Sequence, residues 1–343
     1  MADAKTGNVD QVPLGRSGIS VSRLCLGTMM FGGPTDAMES GRLIARSLEA
    51  GINFIDTADA YNGGASETVV GEAIRPRRDH WVLATKIANP VGPGPNERGL
   101  SRKWILQGAE ASLRRLGTDY LDVLYLHKED HGTPLEVTVR AIGDLVRAGK
   151  IRHFGVSNYR SWRIAEICHL CDDLGIDRPV VSQPYYNAMN RQPEVEQLPA
   201  AAHFGLGVFS YSPLARGVLT GKYRPGAAPL EGSRAGRGDK RMMEAEWRPE
   251  SLEIVQAIRD HAEAAGTTVA HLAVRWVLAN PMVSGVVIGP RTMEQLEDYL
   301  AALSSPYTAD DEALVNRLVT TGHPSTPGYN DPAYPIEGRP VRL

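Results

Sequence analysis

Cysteine is scarce in this chain of 343 residues. There are three, Cys25, Cys168 and Cys171, too few and too oddly numbered for a disulfide framework. Long apolar runs are missing as well. None approaches the roughly 20 residues that a bilayer-spanning helix needs, and the opening MADAKTGNVD has no apolar stretch of the kind that marks a secretory leader. These absences lead us to expect a cytoplasmic protein with no membrane partner. Excess charge of either sign is also lacking, because 40 acidic residues stand against 37 basic ones for a net charge of −3. Without a long block of like charge to track a phosphate backbone, nucleic acid is not an expected partner. No metal site is expected either.

What is present is an ordinary globular composition, 42% hydrophobic and 22% charged, over a length that suits two modest domains or one large barrel. Cys168 and Cys171 form a C-x-x-C, but it lies inside the helical periodicity of 162–174. A redox pair would open a helix after a strand, so these thiols read as helix packing.

Short apolar runs alternate with longer amphipathic segments along almost the whole chain, the pattern of βα units. Strands are expected at 23–27, 53–57, 81–85, 121–126, 151–156, 180–183, 207–211 and 283–288. Helices are expected at 37–50, 67–74, 102–116, 134–148, 161–174, 195–203, 249–265 and 294–303. Eight such units, with no G-x-G-x-x-G after the first strand, fit a closed (β/α)₈ TIM barrel better than an open doubly wound sheet. We therefore expect a single α/β barrel domain over 1–343, with a β-hairpin at 12–22 plugging one end. The Gly-, Pro- and Arg-rich segment 221–248 and the Pro-rich tail 322–343 are expected to build no core and to cover the opposite face as a lid and a C-terminal loop.

In such a barrel the active site forms where the strands end. Strand two runs into FIDTADAY, strand three ends LATK and strand four ends LYLH, which sets Asp56, Tyr61, Lys86 and His127 around one rim. A tyrosine keeps its proton near neutral pH, with an ordinary pKa of about 10, and gives it up readily only beside a cation. Lys86 suits that role, Asp56 would hold the lysine charged, and His127 would donate a hydrogen bond to a carbonyl oxygen.

With these residues in place the sequence resembles the aldo-keto reductase superfamily, over about 12–303. GINFIDTADAYNGGASETVVGEAI, at 51–74, is similar to that family's first signature, and Asp56, Tyr61, Lys86 and His127 fall where the family carries its catalytic tetrad. The resemblance implies a nicotinamide cofactor bound without a Rossmann fold. Ser157, Asn158 and Gln183 resemble the residues that hold the nicotinamide carboxamide, and Tyr211 resembles the tyrosine that stacks on its ring. SPLARGVLTGKY, at 212–223, is similar to the pyrophosphate loop, which implicates Ser212, Pro213, Leu214, Arg216, Gly217 and Lys222. GPRTMEQLEDYL, from Gly289, resembles the adenosine-phosphate segment, with Arg291 and Thr292 at a 2′-phosphate and Gln295 at adenine. A guanidinium in that place favours NADPH/NADP⁺ over NADH. Asp298 and Tyr299 depart from the Glu-Asn that relatives commonly carry there.

LGTMMFGG resembles the strand-one segment beneath the cofactor, so Gly27, Thr28 and Met29 would touch the cofactor and Met30 and Phe31 the substrate. Asn89, His127 and Lys128 complete the expected substrate rim. The implied partner is a small-molecule carbonyl or alcohol, and both a monomer and an assembly through barrel helices are compatible with the pattern. Two other readings compete with a reductase. Potassium channel β subunits resemble this fold and tetrad, which would make the protein a cofactor sensor with little turnover. A Schiff-base aldolase would use Lys86 as an uncharged amine, a state that Asp56 opposes.

Overall fold

The computed structural model describes residues 9–336. These residues group into two compact units. One takes in the chain up to Tyr185 together with Glu196–Tyr211 and Pro281–Leu300; the other holds Tyr186–Val195, Ser212–Asn280 and the chain from Ala301 onward.

The first unit contains the barrel. A hairpin of β1 (Gln11–Pro13) and β2 (Ser20–Ser22) precedes eight barrel strands. They are β3 (Leu24–Gly27), β4 (Phe54–Asp56), β5 (Val82–Ile87), β6 (Leu121–Leu126), β7 (Ile151–Ser157), β8 (Val181–Gln183), β9 (Gly207–Tyr211) and β10 (Gly285–Ile288). All pair in parallel in chain order, and β10 closes the ring on β3 with Val286 opposite Leu24. The arrangement is the (β/α)₈ barrel that the alternation of runs led us to expect.

The barrel strands are mostly buried, so aromatic rings must share the interior with small residues. Glycine supplies the room. A Cβ on Gly155 would stand 2.8 Å from the Tyr125 ring, and one on Gly285 would stand 2.4 Å from Phe209. Phe54 and Phe209 then meet edge to face at 5.0 Å. The hairpin closes the end where the strands begin, burying Leu14 and Val21 completely against Cys25, Phe54 and Val180.

Helices connect these strands with ordinary end signals. Arg102–Leu116 is capped by the Ser101 hydroxyl and stops at left-handed Gly117. Ser161–Leu174 ends the same way at Gly175 and buries both Cys168 and Cys171, whose thiols burial pushes up to about 11 and about 12. They are inert packing groups, as the periodicity indicated.

The second unit corrects three expectations. Segment 221–248 does build core: it contains the helix Lys240–Ala245 and buries Tyr223, Ala235, Met242 and Ala245. The ion pair between Arg234 and Asp239 at 2.9 Å and the edge-to-face contact of Tyr223 with Trp247 anchor a stretch whose composition reads as loop. The tail at 322–343 is packed where it is described, with Ser325 and Asp331 buried and Arg248 bonded to Ser325 and Thr326; residues 337–343 lie outside the described part. Two helices, Val269–Ala279 and Ala309–Leu318, were not anticipated. The first buries Val269, Ala270, Leu272, Ala273, Val274, Trp276, Val277 and Leu278 and leaves only His271 and Arg275, one turn apart, as a polar stripe, too narrow to stand out as a helical period.

The hairpin gives a direct test of how it seals the barrel. Gly15 is left-handed, and a Cβ there would lie 2.1 Å from the Val180 carbonyl oxygen, whereas Gly18, also left-handed, has nothing within 4 Å. Gly18→Ala carries only the left-handed penalty, roughly 1–2 kcal/mol. Gly15→Ala adds a backbone clash, so thermal unfolding should show a clearly larger loss of Tm for Gly15→Ala.

Candidate active site

The strand ends bring together a charged group in the first unit. Asp56 closes β4, Lys86 is the penultimate residue of β5, and His127 follows β6. Tyr61 opens a short 3₁₀ turn after β4. The loop carrying it is tied to β5 by the Thr57 amide on the Ala84 carbonyl and the Asp59 amide on the Lys86 carbonyl. Asn62, in left-handed backbone, donates to the Met29 and Phe31 carbonyls and so joins this loop to the one after β3.

Lys86 is wholly buried and its ammonium contacts the Asp56 carboxylate directly. It also donates to the Thr57 carbonyl at 2.9 Å and to the Tyr61 hydroxyl at 3.4 Å. Burial alone would lower the Lys86 pKa, but Asp56 and Tyr61 overcome it and the net direction is up. Lys86 is therefore a cation here, the state that a Schiff-base role forbids. Burial pushes the Asp56 carboxyl up, against the downward pull of Lys86 and of Gln183.

His127 behaves oppositely. Burial first, then Lys86 and Lys128, hold its pKa well below the usual histidine range, so the ring is neutral at pH 7. It stands edge to face with Tyr61, ring centres 5.9 Å apart. The Asn89 side-chain amide lies 3.0 Å from Nδ1, so Asn89, expected at the substrate rim, is engaged with the histidine. Asn158 is left-handed and donates to the His127 carbonyl at 2.9 Å.

The amides expected at a carboxamide form one internal network. Gln183 donates to Asp56 at 3.2 Å, the Ser157 hydroxyl donates to the Gln183 carbonyl at 2.8 Å, and Tyr211 donates to Asn158 at 2.9 Å. Tyr211 also stacks on Tyr185, ring centres 5.4 Å apart. Thr28 bonds the Asp56 carbonyl and is fully buried beside Gly27; Phe31 is fully buried too, whereas Met29 is exposed and Met30 partly so. At the start of the helix Met293–Ala302, which follows Gly289, the Gln295 side-chain oxygen Oε1 accepts from the Arg291 backbone amide at 2.8 Å and the Thr292 hydroxyl caps the turn.

In the second unit, Ser212, Ala215, Arg216 and Gly217 all take left-handed backbone, and Pro213 and Leu214 lie within the same turn. The Lys222 ammonium lies beside Gly217, 3.6 Å from where a Cβ would be. Arg216, expected at phosphate, faces the buried carboxylate of Glu246 at 3.7 Å.

Three groups were missed by reading strand ends alone. Tyr125 on β6 stands opposite Lys86 on β5, its ring centre 5.7 Å from the ammonium, a position that strand alternation could have shown. Glu67 is completely buried, accepting from Thr85 at 2.5 Å and from Arg115 at 2.6 Å. Asp59 is the third.

This architecture agrees with what the chain is similar to. The family model described as "Aldo/keto reductase family" matches residues 23–320. A probable voltage-gated potassium channel subunit beta of Arabidopsis thaliana is 39% identical over 84% of this chain and 90% of its own length. The uncharacterized oxidoreductase YrpG of Bacillus subtilis is 36% identical over 94% of this chain and 98% of its own. A putative voltage-gated potassium channel subunit beta of Schizosaccharomyces pombe is 37% identical over 84% and 87%. The chain belongs to the aldo/keto reductase family, a family of oxidoreductases. Among the described residues no helix is long and apolar enough to cross a membrane, and no cluster of side chains could hold a metal ion.

Asp59 carries a pH dependence of its own. It is 2% exposed, and neither carboxylate oxygen makes a well-formed hydrogen bond to a described residue. Burial, then Glu67, push its pKa from 3.8 to about 8, while Arg115, the Ala60 amide and Lys86 pull the other way. Between those two values the folded chain keeps a proton that the unfolded chain has released, so this group makes stability fall as pH rises from about 4 to about 8. Asn does not titrate. Asp59→Asn should flatten the decline of Tm across that window, which scanning calorimetry at several pH values would read.

Proposed function

We propose that the protein is an NADPH-dependent carbonyl reductase that converts an aldehyde or ketone reversibly into the alcohol. The observation that carries this reading is the Lys86 ammonium, fixed by Asp56 and the Thr57 carbonyl and directed at the Tyr61 hydroxyl. A positive charge in that place lowers the cost of forming a tyrosinate. Tyr61 is then the general acid that protonates the carbonyl oxygen and, in the reverse direction, the base that removes the alcohol proton. Neutral His127 orients the carbonyl by donating a hydrogen bond to its oxygen.

The nicotinamide supplies the hydride when bound. Supporting residues in the first unit are Ser157, Asn158, Gln183 and Tyr211 for its amide and ring, with Arg291, Thr292 and Gln295 for the adenosine phosphate. In the second unit, the left-handed turn at Gly217 with Lys222 beside it has the open backbone and the cation that a pyrophosphate needs. The β-subunit names of two relatives favour a second reading, a cofactor-sensing protein with little turnover.

Tyr61→Phe should lower kcat for an activated aromatic aldehyde by on the order of 10²- to 10⁴-fold while leaving NADPH binding intact; unchanged turnover would remove Tyr61 from the chemistry. Tight NADPH binding by the wild type with no turnover of any carbonyl, and a partner that co-purifies, would favour the sensing protein. Arg291→Ala should weaken NADPH by roughly 10- to 100-fold and leave NADH nearly unaffected. Equal loss with both cofactors would dissociate Arg291 from the 2′-phosphate.

A further inference from the structure

We propose that Asn89 is a positioning residue that sets the tautomer of His127, holding the ring proton on Nε2 so that Nε2 can donate to the substrate oxygen. The inference rests on the reductase reading, but its first measurement does not depend on turnover.

The argument starts from proton counting. A side-chain amide nitrogen can donate a hydrogen bond and cannot accept one, so the Asn89 amide nitrogen at 3.0 Å obliges Nδ1 of His127 to be the acceptor. A neutral imidazole has one N–H, and with Nδ1 bare that proton must be on Nε2. The charged groups that act on this ring, Lys86 and Lys128, both oppose a second proton, and the Tyr61 phenol ring meets it edge to face. The ring is therefore a neutral donor, and the opposite tautomer would present a lone pair to a carbonyl oxygen and repel it.

Backbone geometry supports a built arrangement. Ala88, wholly buried, takes a φ of 132, a region that L-residues rarely adopt, and it is the residue that turns the chain from β5 towards Asn89. The Ala88 carbonyl accepts from Gly99 at 2.8 Å, which holds the turn. His127 is fixed on its other side by its own amide on the Ile87 carbonyl and by Asn158 on its carbonyl. Strain before Asn89 and left-handed backbone at Asn158 thus bracket the same ring.

Asn89→Asp is the discriminating variant because it keeps the shape and replaces a donor with an acceptor. Long-range ¹H–¹⁵N spectra of the full chain labelled on histidine, with His127→Gln to identify the resonance, read the tautomer directly. Wild type should show His127 neutral at pH 7 with the proton on Nε2. Asn89→Asp should move a proton to Nδ1 and lower kcat by on the order of 10²-fold, with the KM for NADPH unchanged. Asn89→Leu, which offers neither donor nor acceptor, should mix the two tautomers and lower kcat less. A wild-type proton on Nδ1, or a wild-type tautomer kept in both variants, would overturn the proposal. If the tautomer shifts as expected but wild type reduces no carbonyl, the positioning stands and the reductase reading fails.

Discussion

A lysine ammonium sealed from water is tolerable only where every one of its protons finds an acceptor, and in this barrel that requirement organises the surroundings. Lys86 reaches Asp56, the Thr57 carbonyl and Tyr61; the second oxygen of Asp56 takes Gln183. These partners come from β4, the loop behind it and β8, so the pair is satisfied only when the barrel is closed. Removing one partner from a buried pair typically costs about 3–5 kcal/mol, because the other charge is left uncompensated. The loop between Thr57 and Tyr61 is bound to β5 at two amides for the same reason: its carbonyl and its phenol complete the coordination of the lysine.

Two basic groups on neighbouring strands meet opposite fates in this environment. Lys86 keeps its proton because carboxylate and phenol outweigh burial, while His127 loses its charge because burial and two lysines act together. Separating the protonation states of adjacent groups in this manner is how one site assigns different roles to side chains that are both bases in water. In the proposed reaction the cation acts on the phenol and the neutral ring is left to donate.

The barrel and its rim were legible in the sequence because parallel strands deliver all their C-terminal ends to one side, so Asp56, Lys86 and His127 could be read simply as the residues that close apolar runs. What each amide bonds was not legible. Asn89, Asn158 and Gln183 have the same chemical repertoire, and only the folded backbone, strained at Ala88 and left-handed at Asn158, decides that the first turns to an imidazole and the third to a carboxylate. Val269–Ala279 was hidden by being buried almost all round. Ala309–Leu318 was hidden differently: it buries only Asp311, Leu314 and Val315, yet the Thr308 and Asp311 capping box that starts it is a local signal that was there to be used. Segment 221–248 is pinned internally by Arg234 with Asp239, a pairing that composition counts as solvated charge, and tied to the preceding turn by Glu246 facing Arg216.

The seam between β3 and β10 has a consequence for how the protein is made. Leu24 leaves the ribosome long before its partner Val286 does. Until then the ring has an open gap with two bare strand edges, and contacts between residues so far apart in the chain form slowly in any case. A nascent chain therefore carries Lys86 and Asp56 long before it can enclose them. The site is a product of completion: a ribosome that stalls before β10 releases a chain with most of the rim residues present and no barrel to hold them.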